Sequence, residues 1–238
     1  MNIAMSPLER ERFGVVTARG IIGQGEVPQA FAFCREHNVE LLIARVPCDE
    51  IATAQALERS GAILCDTLLY YARTLDGELP QPSGRAPIRP ARPEDAEAVR
   101  DIARAAFAGY CGHYHADPRL DRQACDDTYA DWAYNSCTNP HVADAVLLAE
   151  LGGRVAGFAT LRRNSDEEGE GLLFGVHPDA RRRGAYASLL AAMLRWCADS
   201  DMSRALYSTQ LANTASLRAL TALGFGLRDA YYTFHLWL

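Results

Sequence analysis

The sequence predicts an α/β (α+β) fold: a mixed central sheet flanked by helices, preceded by a partial copy of the same unit. Three observations predict it. Apolar runs of strand length alternate with runs of helical period through the second half of the chain. A Pro/Gly/Ser-rich stretch, DGELPQPSGRAP from Asp76 to Pro87, interrupts that pattern and reads as a linker. The segment before it follows the same strand, helix, Gly, strand order as the end of the chain.

The expected division is an N-terminal lobe over 1–80, a linker over 81–87 and a second lobe over 88–238. After the linker, Ile88 to Pro90 is a short extended start, and Pro93 with Glu94 and Asp95 opens a helix, whose positive N-terminus suits the carboxylates. AVLLAELGGRVAGFATLRR reads as two strands around the Gly152-Gly153 turn. GLLFGVHP follows the acidic turn SDEEGE as a third strand, leading into a helix with an arginine-rich start. The strand RALYSTQ, a helix from Asn213 to Leu223 and an extended pair around GLRDAYYTFHLWL complete the lobe. In the first lobe, ELLIARVPCDEIATAQALERSGAILCDTLLYY aligns with RALYSTQLANTASLRALTALGFGLRDAYYTF when Gly61 is set against Gly224. Ala52, Ala56, Leu57, Leu64 and Asp66 then match Ala215, Ala219, Leu220, Leu227 and Asp229. Two unrelated helix–Gly–strand units are the alternative, because Gly commonly follows a helix end.

Composition narrows the function classes. With 238 residues, 49% hydrophobic, 23% charged and a net charge of −6, the chain can bury a core and does not resemble a disordered protein. A general phosphate-backbone binder is usually basic, so no nucleic-acid partner is expected. The seven cysteines are odd in number and never form C-x-x-C, so neither a disulfide framework nor a zinc site is expected. No apolar signal core or membrane span is apparent, and the expected compartment is the cytoplasm.

The chemistry concentrates in VHPDARRRGAYASLLAAMLRW, from Val176 to Trp196. A strand, a turn carrying Arg181, Arg182, Arg183 and Gly184, and an immediate helix make an anion site, because the first helical turn has unpartnered N–H groups at the positive dipole end. Gly184 and Ala185 let a bulky anion approach, and arginine forks onto phosphate oxygens. A diphosphate is the natural fit, with a solvated basic turn as the alternative. Neither Gly-Lys-Ser/Thr nor G-x-G-x-x-G is present.

This loop resembles the Arg/Gln-x-x-Gly-x-Gly/Ala element of the GNAT acetyltransferase superfamily, through Arg181 and Gly184, with Tyr186 at the last small position and Ala187 after it. GLLFGVHP looks like that superfamily's splayed strand, and NTASLRALTALGF is similar to its Asn-x-x-Ala-x-x-x-Tyr-x-x-x-Gly-Phe helix. The resemblance implies a GNAT fold, acetyl-CoA as co-substrate, no metal, and a cofactor site of Phe174, Val176, Arg181, Arg183, Gly184, Ala185, Tyr186, Ala187 and Asn213. It implies that a backbone N–H, that of Val176, polarises the thioester carbonyl. Asn213 is also placed to cap its helix. Tyr186 is expected to face phosphate, with stacking or packing as its job.

A narrower resemblance, to the TDP-fucosamine N-acetyltransferases, rests on RFGVVTAR, RAAFAGYCGHYHADPRL, TYADWAYNS, GFATLRR and QLANTASL. It implies a nucleotide-linked 4-amino-4,6-dideoxyhexose as acceptor. Two positions depart from that pattern. Leu220 stands where the family has a proton-donating tyrosine, and His113 stands where it has an arginine. Direct transfer needs a neutral amine, and histidine suits its deprotonation near neutral pH. His113 and His115 are the candidates, with His177 behind them and structural histidine as the alternative for each. Glu168 and Glu170 precede the splayed strand and read as solvated turn charges, with service as a base through water as the alternative. Tyr186, Tyr207, Tyr231 and Tyr232 are the phenols considered for the thiolate, none at the family's spacing, so water or no acid at all stays open. Tyr129, Trp132 and Tyr134 are expected to pack in the core or line a pocket.

Three functions remain open: a nucleotide-sugar N-acetyltransferase, a GNAT enzyme for another small amine, antibiotic or protein N-terminus, and a non-catalytic acetyl-CoA-binding module. The C-terminal FHLWL strand could pair across a homodimer or pack internally.

Overall fold

The computed structural model describes residues 2–80 and 86–238, so most of the expected linker lies outside the described residues. The first lobe runs β1 (Asn2–Ser6), α1 (Pro7–Phe13), β2 (Thr17–Ile21), α2 (Val27–Glu36), β3 (Leu41–Pro47), α3 (Ile51–Arg59) and β4 (Ile63–Thr74). Pro7 opens α1 with a ring already set to helical φ, and Gly14, at φ 69°, closes it. β2 and β3 are parallel, with α2 as their crossover, and β1 lies antiparallel to β2.

The second lobe runs β5 (Ile88–Pro90), α4 (Ala96–Phe107), α5 (His113–Ala116), α6 (Arg122–Thr138), β6 (Ala145–Leu151), β7 (Arg154–Arg163), β8 (Glu168–Val176), α7 (Ala185–Asp199), β9 (Arg204–Gln210), α8 (Thr214–Ala222) and β10 (Gly226–Trp237). Asp95 fixes the start of α4. It accepts two bonds from Arg89 (2.7 and 2.9 Å) and one from the Arg92 N–H (2.8 Å), while Arg89 Nε reaches Glu150 (2.7 Å). Arg89 holds the Asp95 carboxyl down at about 2. β5 and the first turn before α4 are thereby locked to β6.

All ten strands form one sheet, in the order β1-β2-β3-β10-β4-β9-β8-β7-β6-β5. Helices cover both faces. α7 and α8 pack Leu189, Leu190, Met193, Leu194 and Leu220 on one face, where α2 and α3 also bury Ala30, Cys34 and Leu57. α4, α5 and α6 lie on the other, with Val99, Ala103, Tyr114, Cys125 and Ala133 among the buried contacts.

The C-terminal extended pair expected from sequence is a single strand. β10 continues for 12 residues, with register shifts at Leu227/Asp229 and Thr233/Phe234, and lies antiparallel between β3 and β4. Phe234, His235 and Leu236 are buried, so FHLWL pairs internally and is not a sheet edge. The central order β3-β10-β4-β9 is reciprocal. The unit β3-α3-β4 and the unit β9-α8-β10 each place their second strand inside the other. Gly61 and Gly224 turn the chain at φ 90° and 79° in equivalent places.

Candidate active site

The functional geometry begins where two strands part. The parallel pairing of β8 with β9 runs only from Glu168↔Arg204 to Gly171↔Tyr207, although β8 continues to Val176 and β9 to Gln210. Gly171 stands at the fork, where a Cβ would lie 2.7 Å from Phe174, 2.8 Å from Met193 and 3.0 Å from Tyr207. The equivalent pair β2 and β3 is registered over all five residues of β2 and has no fork. On the other side of β8, the His177 N–H donates to Ala156 O (2.9 Å). Strand alternation therefore aims the N–H groups of Val176 and Phe174 into the fork, where no β9 partner receives them.

The chain leaves β8 through a single 3-10 turn, Pro178–Ala180, and reaches α7 with Arg182 at φ 63° and Gly184 at φ 83°. That left-handed turn is easy for glycine and strained for arginine. The first helical bond runs from Ser188 N to Gly184 O (2.9 Å), so the N–H groups of Ala185, Tyr186 and Ala187 precede the ladder at the positive end of the helix. Arg181 donates to Ala106 O in the last turn of α4 (3.2 Å), and Arg182 and Arg183 project into solvent. Asn213 caps α8, accepting from Ser216 N (3.3 Å) and donating to Thr209 Oγ1 (3.1 Å).

The Tyr186 side chain does not face the helix mouth as expected. Its phenol turns inward to Tyr207 Oη (2.9 Å) and Ser216 Oγ (2.6 Å), because the apolar ring packs with the α7 core while the hydroxyl needs partners. Burial pushes the Tyr186 phenol up, opposed by these hydrogen bonds, and burial with the adjacent Tyr186 pushes Tyr207 well up. Both phenols stay protonated near neutral pH. Leu220 is wholly buried and can donate nothing, whereas Ser216, one turn earlier on α8, ends this chain of three hydroxyls.

A cavity of about 420 Å³ opens at the fork, between the sheet and the layer of α1, α4, α5 and α6. Leu173, Phe174 and Tyr207 to Gln210 form one side, and Tyr129 and Trp132 another. Trp132 thus serves the pocket as well as the α4/α6 core, while Tyr134 lies beneath the Arg100 guanidinium, 4.2 Å from its ring centre.

The histidines separate clearly. His113 lines the cavity, and its Nδ1 lies 2.9 Å from His235 Nε2. His235 Nδ1 lies 2.9 Å from Asp117 Oδ2, which also accepts from Trp237 Nε1 (2.8 Å), while Asp117 Oδ1 takes the Arg119 N–H (3.1 Å). With Asp117 ionised and both imidazoles neutral, one proton arrangement satisfies the chain. Asp117 takes the His235 Nδ1 proton, His235 Nε2 takes the His113 Nδ1 proton, and the lone pair of His113 is left on Nε2. Burial, then His235, Arg19 and Arg45, hold His113 well below its usual value. Burial also lowers His235, against the pull of Asp117. Burial raises the Asp117 carboxyl, but bonds from Trp237, Arg119 N and His235 outweigh it and leave it low.

His115, expected beside His113 as a candidate base, lies outside the cavity lining. Its Nδ1 accepts from Gly112 N (3.3 Å) and its Nε2 meets Asp126 (3.0 Å), so both nitrogens are engaged in fastening α5 to α6. His177 receives the Asp179 N–H (3.3 Å) at the 3-10 turn, a capping role. Glu168 and Glu170 are not solvated turn charges. β8 begins at Glu168, which binds Arg228 (2.7 Å), and Glu170 is buried against Arg162 (2.9 Å). His235 and Asp117 were beyond sequence reasoning, since they lie 118 residues apart and His235 sits within an apolar strand.

The profile of the Acetyltransferase (GNAT) family matches residues 97–225, from the first turn of α4 to Phe225. The chain belongs to the GNAT acetyltransferase family. It is therefore an acetyltransferase of the family whose co-substrate is acetyl-CoA. The spore coat polysaccharide biosynthesis protein SpsD of Bacillus subtilis is 25% identical over 215 residues, covering 88% of this chain and 71% of that protein. The dTDP-fucosamine acetyltransferase of Escherichia coli O6:H1 is 29% identical over 143 residues, which are 60% of this chain and 59% of that enzyme. Among solved structures, a GCN5-related N-acetyltransferase from Sphaerobacter thermophilus superposes with a TM-score of 0.67 at 14% identity, over 99% of this chain and 76% of its own. That likeness of fold spans the described chain, including the strands and helices before residue 97. Among the described residues no group of three or more potential ligands is placed to hold a metal ion, and no helix is long and apolar enough to cross a membrane.

Proposed function

We propose that this acetyltransferase moves the acetyl group of acetyl-CoA to the amine of a nucleotide-linked amino-dideoxy sugar by direct attack. The observation that carries the reading is the chain Asp117–His235–His113, whose last imidazole lines a cavity at the β8/β9 fork. The relative named as a dTDP-fucosamine acetyltransferase supports the acceptor class. In this reading residues 88–238 carry the catalytic lobe and 1–80 the accessory lobe, joined by 81–87.

The N–H groups of Ala185 to Ala187, with Gly184, Arg181 and Arg183, receive the diphosphate of acetyl-CoA. Phe174 and Val176 present their N–H groups to the pantetheine arm and the thioester. Asn213 borders the same arm. Polarisation of the carbonyl by Val176 N–H stabilises the oxyanion that forms when the amine attacks the thioester carbon. His113 Nε2 takes the proton released from nitrogen, and the imidazolium formed is supported through His235 by the Asp117 carboxylate. When the C–S bond breaks, the sulfur leaves with the electron pair as the CoA thiolate and takes its proton from solvent. A thiolate of reference pKa ~8.5 needs little help in leaving.

The experiment is thiol release from acetyl-CoA with dTDP- and GDP-linked amino sugars, set beside unlinked amino sugars and simple amines. Turnover is expected with a nucleotide-linked sugar and an acetamide product by mass. Turnover confined to unlinked amines would remove the nucleotide-sugar reading and leave the family activity in place.

A further inference from the structure

The wall of the cavity facing away from the fork is built by the N-terminal lobe and is cationic. Arg12 from α1, Arg19 from β2 and Arg45 from β3 all line it. The register explains the convergence. Arg19 pairs with Ile43, so Arg45, two residues further along β3, points to the same face, and His235 pairs with Ile43 from the other side. Arg19, Arg45 and His235 thus share one surface of the sheet beneath α1 and α5.

The three guanidiniums on this wall differ in their carboxylate partners. Arg19 donates to Glu9 Oε1 (3.1 Å), and Glu9 is wholly buried, with Tyr114 on the same oxygen and no partner for Oε2. Arg12 reaches Asp131 only at 3.9 Å, and Arg100 shares that half-exposed carboxylate at 3.7 Å. Arg45 bonds Tyr70 Oη (3.0 Å) and has no carboxylate within salt-bridge distance among the described residues. The carboxyl facing it from β4, Asp66, is raised by burial. Of the three guanidiniums, Arg19 has an enclosed carboxylate partner, Arg12 a distant half-exposed one, and Arg45 none within salt-bridge distance among the described residues. A guanidinium without a close carboxylate in a partly enclosed cavity is costly unless a ligand answers it.

We propose that Arg12, Arg19 and Arg45 form a diphosphate subsite by which the N-terminal lobe holds the acceptor, separately from the acetyl-CoA loop at α7. This rests on the nucleotide-sugar reading and gives the accessory lobe its purpose. The diphosphate of a nucleotide-linked sugar is anionic, and arginine forks suit its oxygens. Two strand spacings, roughly 9–10 Å, separate β2 from β10, so Arg19 and His235, the partner of His113, stand about a hexose apart along the sheet. The N-terminal lobe cannot serve as a second acetyl-CoA site in the same way. Its β2/β3 pair has no fork, and the turn before α2 is closed by its own Glu26, which accepts the Gly23 N–H (2.8 Å).

Calorimetric titration of the whole protein with dTDP, inorganic diphosphate and malonate, in saturating CoA so that the α7 mouth is filled, tests this. dTDP and diphosphate are expected to bind, more weakly as salt rises, and more tightly than malonate. Arg45→Gln and Arg12→Gln should each raise the dissociation constant at least tenfold while CoA affinity stays within twofold. Arg12→Gln, on the surface helix α1, keeps the test open if Arg45→Gln fails to fold. No binding of either phosphate compound, unchanged affinity in both variants, or malonate binding as tightly as diphosphate would overturn the subsite. Failure of CoA itself to bind would instead strike the acetyltransferase reading.

Discussion

His113 has a defined tautomer because two other side chains impose it. His113→Gln should lower kcat by about 10²–10⁴, the usual contribution of a general base. His235→Gln should lower kcat less and move the acidic limb of the kcat/KM profile, an effect that loss of packing alone does not produce. The pair also sets stability against pH. Both imidazoles titrate below the unfolded value of ~6.5, so below that pH the unfolded chain binds protons that the folded chain refuses. Stability is therefore full above pH ~6.5 and falls as pH drops toward the folded values. Urea midpoints at pH 7.5 and 5.5 should differ in the wild type and differ less in His113→Gln. Equal differences would contradict the buried-neutral assignment. Of this chain only His113 was legible in sequence, from GHYHADP. Asp117 and His235 meet through sheet register, which no local pattern encodes. His115 was misplaced for the same reason: its neighbour Asp126 is on the next helix.

At the scale of elements, local signals were read well where a turn or cap decides the outcome. The Gly152-Gly153 hairpin, the Asn213 cap and the helix opening at Gly184 all depend on residues adjacent in sequence. The fork was legible only through family resemblance, since it is the absence of pairing between two good strands. Gly171→Val should cost about 1–3 kcal/mol, because a Cβ there meets Phe174, Met193 and Tyr207 in a filled core. Gly184→Ala should cost about 1 kcal/mol for its left-handed φ. Asp95→Asn should cost about 1–3 kcal/mol through its charged hydrogen bonds to Arg89. The contribution of Asp95 is present above the unfolded value of ~3.9 and lost as pH falls through about 2, so acid titration of the wild type and Asp95→Asn should converge at that end.

At the scale of the whole molecule, β10 decides the architecture. It carries the last residues of the second lobe into the sheet of the first, between β3 and β4, and β4 in turn pairs with β9, so the two lobes cannot come apart without breaking three ladders. A chain of two lobes often unfolds in steps. Here one transition is expected, with coincident urea midpoints from single-tryptophan variants retaining Trp237 or Trp196. The sequence repeat around Gly61 and Gly224 anticipated the two related units but not their exchange of strands, because alternation of apolar residues says which face is buried and not which strand lies alongside.

The central claim is that acetyl-CoA binds at the β8/β9 fork and the mouth of α7, and thermal unfolding with and without saturating acetyl-CoA tests it most directly. A ligand at a hundred times its dissociation constant stabilises by ~2.7 kcal/mol, on the order of 5–10 °C in Tm for a chain of this size. The wild type should show that shift, and Gly184→Glu, which sets a carboxylate in the anion site, should lose it while remaining folded. An absent shift in the wild type, or an equal shift in Gly184→Glu, would contradict the account.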